Sequence, residues 1–248
     1  DGLVDGLDCT QASAPPGHIG VGEQAFLWKP PALPADSYFN LIAQVSAGAH
    51  PDPLPQVRDW LDLAKFIGQT PTFGTLESHG ETLVWQMTTP PGFDPSKTYP
   101  VVMQVYGGPS GGGVRRSWQG STSQLLTEAG YIVFRLDNRG EGDRSAAFKQ
   151  ALYLRMGQPE IEDQVLAANY LRSLPYVADD RIAMMGWSYG GFMSLMALTE
   201  PDMGLTSAIA GAPPTEWSLY DTHYTERFMS TPELNVEGYA ASDAIPRL

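Results

Sequence analysis

The sequence predicts an α/β fold in which helices cover both faces of a mostly parallel sheet. Two apolar runs, at 99–106 and 131–137, are typical of strands buried on both faces. A third stretch, at 181–198, passes from an apolar strand through a tight serine-containing turn into an apolar helix. Strands that alternate with helices form parallel sheets, because each crossover helix packs back onto the sheet.

The first 71 residues are the least regular part of the chain. Prolines recur from Pro15 to Pro55 and break any long element. Between these prolines we predict a short strand at residues 38–45, and after them a short helix at residues 57–67. We expect residues 1–71 to be a loop-rich N-terminal extension and residues 72–248 to be a partial α/β domain.

The α/β region contains further elements besides the three apolar runs. The helix at 160–173 is the clearest, because acidic residues occupy its first turn and Pro175 follows its end. The other predicted elements are a hairpin at 73–78 and 82–88, a helix at 119–129, a strand at 205–211, and short helices from 217 onward.

Composition excludes several classes of function. The chain has 248 residues, and its net charge of −13 argues against nucleic acid and anionic membranes as partners. It contains no run of about 18 apolar residues, so we predict no membrane span. The single cysteine, Cys9, excludes an internal disulfide and a cysteine-rich zinc site. We expect no metal and no cofactor.

The tight turn reads Gly186-Trp187-Ser188-Tyr189-Gly190-Gly191. Its flanking positions must be small, which accounts for the glycines. A strand, such a turn and a helix together form the nucleophile elbow of the α/β-hydrolase fold, which lifts a serine hydroxyl clear of the sheet. We therefore predict Ser188 as a nucleophile. The alternative is an ordinary glycine–serine turn, but the flanking strand and helix favour the nucleophile.

A serine nucleophile also needs a base, usually a histidine held by a carboxylate. In this fold the acid and the histidine follow the serine along the chain. His223 is the only histidine after Ser188, and Asp221 is too close to it in sequence to hold its ring while the ring faces the serine. We expect the acid and the histidine to lie beyond Leu248, which leaves the domain incomplete at its C-terminus.

The oxyanion formed during acyl transfer needs two hydrogen-bond donors. We predict that the first donor is the backbone N–H of Tyr189, the residue after the nucleophile. The second should come from the loop after strand 99–106, where lipases use backbone donors of a His-Gly-Gly-Gly motif. This chain has Tyr106-Gly107-Gly108 there, so the phenol of Tyr106 is a candidate donor. The alternative for Tyr106 is an aromatic residue that fills the core.

Four motifs occur in order along the chain: Tyr106–Pro109, Asp137–Gly140, Gly186–Gly191 and Tyr220–Met229. Together they resemble the prolyl oligopeptidase family of serine peptidases. The last motif, with its Tyr-x-x-x-Tyr-Thr-Glu-Arg pattern, is similar to the dipeptidyl peptidase IV branch of that family. The resemblance covers residues 72–245.

The resemblance implies an exopeptidase that removes X-Pro or X-Ala dipeptides from the N-termini of peptide substrates. It assigns the nucleophile and oxyanion roles to the same three residues as above. It also implies that Trp217, Tyr220 and Tyr224 wall a small apolar pocket for the proline ring, since flat aromatic faces fit a pyrrolidine. The alternative for these rings is core packing, above all for Trp217. Asp221 and His223 then become structural residues of their helix.

Members of the family carry a β-propeller whose paired glutamates bind the free amino group of the substrate. Residues 1–71 show no blade repeat and no Glu-Glu pair, so they correspond at most to a last propeller strand and a linker. The resemblance also implies a homodimer and a periplasmic or other extracytoplasmic location, with the cytoplasm as the alternative. Two other interpretations stay open: an acylaminoacyl peptidase or esterase of the same fold, and a non-catalytic fragment or binding module.

Overall fold

A six-stranded sheet in the order β1-β2-β4-β3-β5-β6 organises the part of the chain that the computed structural model describes, residues 69–109, 111–116, 120–142 and 144–247. The strands are β1 (Thr72–Ser78), β2 (Glu81–Thr88), β3 (Tyr99–Val105), β4 (Ile132–Asp137), β5 (Val177–Trp187) and β6 (Ser207–Gly211). The helices are α1 (Ser121–Glu128), α2 (Ala146–Gln150), α3 (Gln158–Arg172), α4 (Tyr189–Leu198), α5 (Thr222–Met229) and α6 (Val236–Ser242). Short 3-10 turns occupy Pro201–Met203, Trp217–Leu219 and Ile245–Arg247.

The sheet is mostly parallel, as predicted. Strand β3 lies between β4 and β5 and runs parallel to both, and β6 runs parallel to β5. The β1–β2 hairpin is antiparallel and joins the sheet through antiparallel pairing of β2 with β4. Because Val105 pairs with Gly186, β3 and β5 end at the same edge of the sheet. The loop after β3 begins with Tyr106, and the turn after β5 contains Ser188. Both therefore lie at one edge of the sheet.

Most predicted elements are confirmed, with boundaries that differ by a few residues. Strand β5 begins at Val177 rather than at the predicted residue 181, although 179–181 are exposed and polar. A register shift between Tyr99 and Val101 of β3 accommodates this irregular start. The short helix α2 was not predicted, because five residues are too few to show a helical period. None of the described helices is long and apolar enough to cross a membrane.

The predicted strand at 38–45, the predicted helix at 57–67 and nearly all of the predicted 1–71 extension lie outside the described residues. The helix predicted at 160–173 is α3. Of its apolar residues at helical spacing, Ile161, Ala168 and Leu171 are buried in the core and Val165 is half-buried. The same helix also buries Glu160 and Asp163 completely. Buried carboxyl groups are costly unless they are hydrogen-bonded or paired, so each of them needs a partner.

The partner of Asp163 is Arg139, in the loop after β4. The Arg139 backbone N–H donates to Asp163 Oδ2 at 2.8 Å, and the Arg139 Nε lies 3.1 and 3.0 Å from the two carboxylate oxygens. Ser78 at the hairpin turn adds a hydrogen bond of 2.5 Å to Asp163 Oδ1. This buried group joins the hairpin, the loop after β4 and helix α3 at one point.

Replacing Arg139 with alanine is expected to lower the free energy of unfolding by about 3–5 kcal/mol, because Asp163 would stay buried without its counter-ion. Urea unfolding of the intact protein measures the loss. The matched control is Glu162→Gln: Glu162 also contacts Arg139, at 2.7 Å, but its side chain is 52% exposed. That variant is expected to lose less than about 1 kcal/mol. Equal losses in the two variants would contradict a dominant role for the buried pair.

Candidate active site

Ser188 lies between β5 and α4 with a backbone φ of 56° and ψ of −118°. A positive φ is uncommon for a residue other than glycine and carries a cost that the surrounding structure must offset. Two backbone hydrogen bonds hold it: the Ser188 N–H donates to the Gly211 carbonyl at 2.8 Å, and the Ser188 carbonyl accepts from the Phe192 N–H at 3.0 Å. The predicted strand, turn and helix are confirmed, and Ser188 occupies the tip of the turn.

The glycines of the turn are explained by close backbone packing. A Cβ atom at Gly186 or at Gly190 would clash with the carbonyl oxygen of Val105 at the end of β3. A Cβ atom at Gly191 would lie 2.5 Å from the Gly211 carbonyl oxygen at the end of β6. The elbow is therefore clamped between the ends of the two strands that flank β5.

Tyr106 follows β3 directly and lies beside the elbow. Its Cα atom is 3.1 Å from the point where a Gly190 Cβ would stand, and its ring centroid is 6.0 Å from that of Tyr189. The Tyr106 side chain is 40% exposed, so it does not fill the core. Burial, followed by the influence of Tyr220 and Glu141, raises the pKa of Tyr106. The phenol thus keeps its proton at neutral pH and is able to donate a hydrogen bond.

Glu141, in the loop after β4, anchors the glycine-rich loop that Tyr106 begins. Its side chain is almost fully buried, and it accepts the Gly107 N–H at 2.9 Å and the Asn138 N–H at 3.2 Å. Asn138 Nδ2 in turn donates to the Gly107 carbonyl at 2.9 Å. The peptide groups on both sides of Gly107 are therefore held by the loop after β4.

A second carboxylate, at the end of β4, holds a later part of the glycine-rich loop. Asp137 Oδ1 accepts the N–H groups of Gly113 and Val114 at 2.7 and 2.9 Å. Burial, followed by the repulsion of Asp137, raises the pKa of Glu141 to about 8. Sequence analysis placed Asp137 in a family motif but identified neither carboxylate as a support of the oxyanion loop. The only local signal is that Asp137 ends a buried strand and that Glu141 follows it between Gly140 and Gly142.

Glu160 supports the other side of the elbow. The Tyr189 side chain is 2% exposed, and its hydroxyl donates to Glu160 Oε1 at 2.5 Å. Glu160 Oε2 accepts the Gly157 N–H at 3.0 Å at the start of α3. Burial raises the pKa of Glu160 to about 7. Because Tyr189 is the first residue of α4, its own N–H has no partner within the helix and stays a candidate oxyanion donor.

Three rings, Trp217, Tyr220 and Tyr224, pack on one another and are called the aromatic cluster below. The Trp217 centroid lies 5.7 Å from Tyr220, 6.1 Å from Tyr224 and 5.4 Å from Tyr189. Trp217 is only 1% exposed and belongs to the core, whereas Tyr220 is 43% exposed. Trp217 is therefore the buried member of the cluster, and its accessible surface comes from the two tyrosines. The Tyr224 hydroxyl is buried without a hydrogen-bond partner among the described residues.

Asp221 has a structural position, as the resemblance implied. Asp221 is the N-cap of α5, and its carboxylate accepts the Tyr224 N–H at 2.8 Å. His223 is exposed on the same helix. Among the residues that the structure describes, no three His, Cys, Asp or Glu side chains are grouped to hold a metal ion.

The two buried glutamates are expected to make the protein less stable as the pH rises from about 5 to about 8. Their folded pKa values, about 8 for Glu141 and about 7 for Glu160, lie above the ordinary value of 4.5. Between these limits the folded state binds more protons than the unfolded state, so the stability present at low pH is lost as the pH rises. Glu141→Gln, which cannot titrate, should flatten this decline.

Melting temperatures of the intact protein at pH 5, 6, 7 and 8 measure the effect. Glu237→Gln, on the exposed side of α6, is the control and should follow the unmodified protein at every pH. A Glu141→Gln profile that also runs parallel to the unmodified protein would contradict the assignment of the raised pKa to Glu141.

Comparisons with known proteins identify relatives of this chain. The profile of the prolyl oligopeptidase family matches residues 117–248. Dipeptidyl peptidase 8 of Mus musculus is 38% identical over 199 residues, which cover 76% of this chain and 22% of the relative. Dipeptidyl peptidase 4 of Trichophyton equinum is 41% identical over 166 residues, which cover 65% of this chain and 21% of the relative.

Among solved structures, the dipeptidyl peptidase 4 of Porphyromonas gingivalis superposes with a TM-score of 0.68 at 37% identity. The match covers 71% of this chain and 25% of that protein. The chain thus spans about a fifth to a quarter of the length of these relatives. The family profile matches more than half of the chain and includes the elbow at Ser188. Sequence, sheet topology and the elbow therefore lead to one conclusion: the chain belongs to the prolyl oligopeptidase family.

Proposed function

We propose that the protein carrying this chain is a serine exopeptidase that releases X-Pro and X-Ala dipeptides from the N-termini of peptides. The observation that carries the proposal is the meeting of three features at one edge of the sheet. These are Ser188 at the tip of a strained turn, the exposed phenol of Tyr106 beside it, and the aromatic cluster packed against Tyr189. Two of the relatives that this chain matches at 38% and 41% identity are named dipeptidyl peptidases.

In the proposed mechanism, Ser188 Oγ attacks the carbonyl carbon of the second substrate residue, and its proton passes to a general base. The negative charge on the carbonyl oxygen is stabilised by the Tyr106 hydroxyl and the Tyr189 N–H. Collapse of this intermediate breaks the peptide bond, and the leaving amine takes up the proton. Water then hydrolyses the acyl-enzyme. We do not assign the base to His223, because Asp221 caps the helix and is not available to orient that ring.

The aromatic cluster would select the second residue of the substrate. Tyr220 and Tyr224 meet edge to face at 5.7 Å, and the Trp217 ring packs against both of them. Tyr106 is among the groups that raise the pKa of Tyr224, so the pocket and the oxyanion donor are neighbours. Aromatic surfaces of this kind favour a compact apolar ring or a methyl group over a long side chain.

The test is hydrolysis of Gly-Pro p-nitroanilide by the intact protein, compared with the same substrate acetylated on its amino group. We expect cleavage of the free amine and little cleavage of the acetylated form. Hydrolysis of p-nitrophenyl esters or N-acylated peptides alone would favour the acylaminoacyl peptidase or esterase interpretation. Absence of both turnover and labelling of Ser188 by a fluorophosphonate would show a non-catalytic protein.

The pocket assignment has its own test. Tyr220→Ala is expected to lower kcat/KM for Gly-Pro p-nitroanilide by about 10- to 100-fold, because one wall of the pocket is lost. Leu219→Ala is the matched control, since Leu219 precedes Tyr220 and is 80% exposed. A similar loss in both variants would place the effect in the fold of this segment rather than in substrate binding.

A further inference from the structure

The mechanism proposed above does not use Glu141, although this carboxyl group occupies a demanding position. It is 1% exposed and lies among other acidic groups, since Asp137 and Glu160 both raise its pKa. The cation of its own loop, Arg139, is paired with Asp163. Burying a carboxyl in such surroundings costs free energy that an apolar side chain of similar size would not cost. Packing alone therefore does not account for a carboxyl group at this position.

The hydrogen bonds of Glu141 act directly on the backbone of Tyr106. The Gly107 N–H that donates to Glu141 at 2.9 Å belongs to the same planar peptide unit as the Tyr106 carbonyl. Fixing this plane fixes the last backbone torsion of Tyr106 and hence the direction from which its side chain leaves the strand. The second bond, from the Asn138 N–H at 3.2 Å, ties the carboxyl to the loop after β4.

Side-chain contacts restrict Tyr106 at the same place. A Cβ atom at Gly111 would lie 2.5 Å from Tyr106 Cδ1 and 2.9 Å from Glu141 Oε1. The glycine loop therefore passes closely between the Tyr106 ring and the Glu141 carboxyl. The Gly107 N–H already donates to Glu141, so it is not available as a backbone donor to the oxyanion, the role that such N–H groups have in lipases. What remains at this loop position is the phenol, and its orientation depends on the carboxyl.

We propose that Glu141 is a positioning residue of the oxyanion site, which aims the Tyr106 hydroxyl at the developing negative charge by holding the Gly107 peptide. This inference rests on the proposed function, because it needs Ser188 as the nucleophile and Tyr106 as the donor. It predicts that Glu141 influences catalysis through Tyr106 alone.

A double-mutant cycle tests that prediction in the intact protein. Glu141→Gln keeps the size of the side chain but presents an amide N–H group to one of the two backbone donors. We expect it to lower kcat for Gly-Pro p-nitroanilide about tenfold, with KM unchanged within about twofold. In a Tyr106→Phe background the same substitution should have no further effect, because the group that it positions is absent. An equal loss in both backgrounds would overturn the proposal.

The matched control is Asp163→Asn, which alters another fully buried carboxyl without contact to Tyr106. Any effect of that variant on kcat should be the same with Tyr106 or Phe at position 106. Should Glu141→Gln fail to fold, Glu141→Asp serves the same cycle, because its shorter side chain is unable to reach both N–H groups.

A second measurement does not depend on turnover. Hydrogen–deuterium exchange of peptides covering 105–113 should be about tenfold faster in Glu141→Gln than in the unmodified protein, because the carboxamide has a single acceptor oxygen for the two backbone N–H groups. Glu237→Gln, on the exposed side of α6, should leave exchange in this loop unchanged. If the unmodified protein cleaves no X-Pro substrate, the proposed function fails. Exchange that does not respond to Glu141→Gln overturns the positioning role, whether or not the protein is active.

Discussion

Replacing Ser188 with alanine is expected to reduce kcat for Gly-Pro p-nitroanilide by about 10⁴- to 10⁶-fold, because no covalent intermediate can form. The elbow itself should survive, since its glycines make the close contacts with β3 and β6 and Ser188 contributes backbone hydrogen bonds only. KM or inhibitor affinity should change little. Melting temperature and binding of a non-hydrolysed dipeptide mimic, measured beside kcat, separate lost chemistry from lost structure.

Ser194→Ala is the matched control for this prediction. Ser194 lies on α4, the helix that follows Ser188, is fully buried, and donates its hydroxyl to the Gly190 carbonyl at 2.8 Å. A bond of this kind within one helix contributes little to stability, so the variant should retain nearly full activity. If Ser188→Ala retained turnover while a fluorophosphonate still labelled the protein, another residue would be the nucleophile.

Local patterns predicted the parts of the site that depend on neighbours in sequence. The elbow lies within one stretch, 181–198, in which apolar spacing, glycines and a single serine all agree. The hairpin and α3 were predictable for the same reason, since their periodicity and their flanking residues lie within 20 positions. The sequence showed that Tyr106 lies at a strand end next to glycines, but it did not show that its side chain is exposed.

The supports of the site were not predictable, because their partners are far away along the chain. Glu141 accepts the N–H of a residue 34 positions before it, and Glu160 accepts a hydroxyl 29 positions after it. An acidic residue near the start of a helix is ordinarily explained by its favourable interaction with the helix dipole. That explanation does not predict that Glu160 is buried. Only the sheet order, which places β4 beside β3, brings the loop after β4 against Gly107.

The identity of the second oxyanion donor is decided by Tyr106→Phe, the other change with a large expected effect. We expect kcat to fall by about 10²- to 10³-fold with KM nearly constant, because a hydrogen bond to the oxyanion exists only in the transition state. Phenylalanine keeps the ring contact with Tyr189 at 6.0 Å and the contact with the glycine loop. Loss of fold is therefore not expected to contribute.

The pH profile gives this prediction a second readout. Burial raises the pKa of Tyr106 above its ordinary value of 10, so the hydroxyl stays a donor throughout the neutral range. The Tyr106→Phe variant should therefore lose the same factor in kcat from about pH 6 to about pH 9. Tyr153→Phe, at a position 52% exposed, is the control and should be fully active. If Tyr106→Phe kept its activity, a backbone N–H of the glycine loop would have to be the donor. Glu141 would then be holding that loop for a different group.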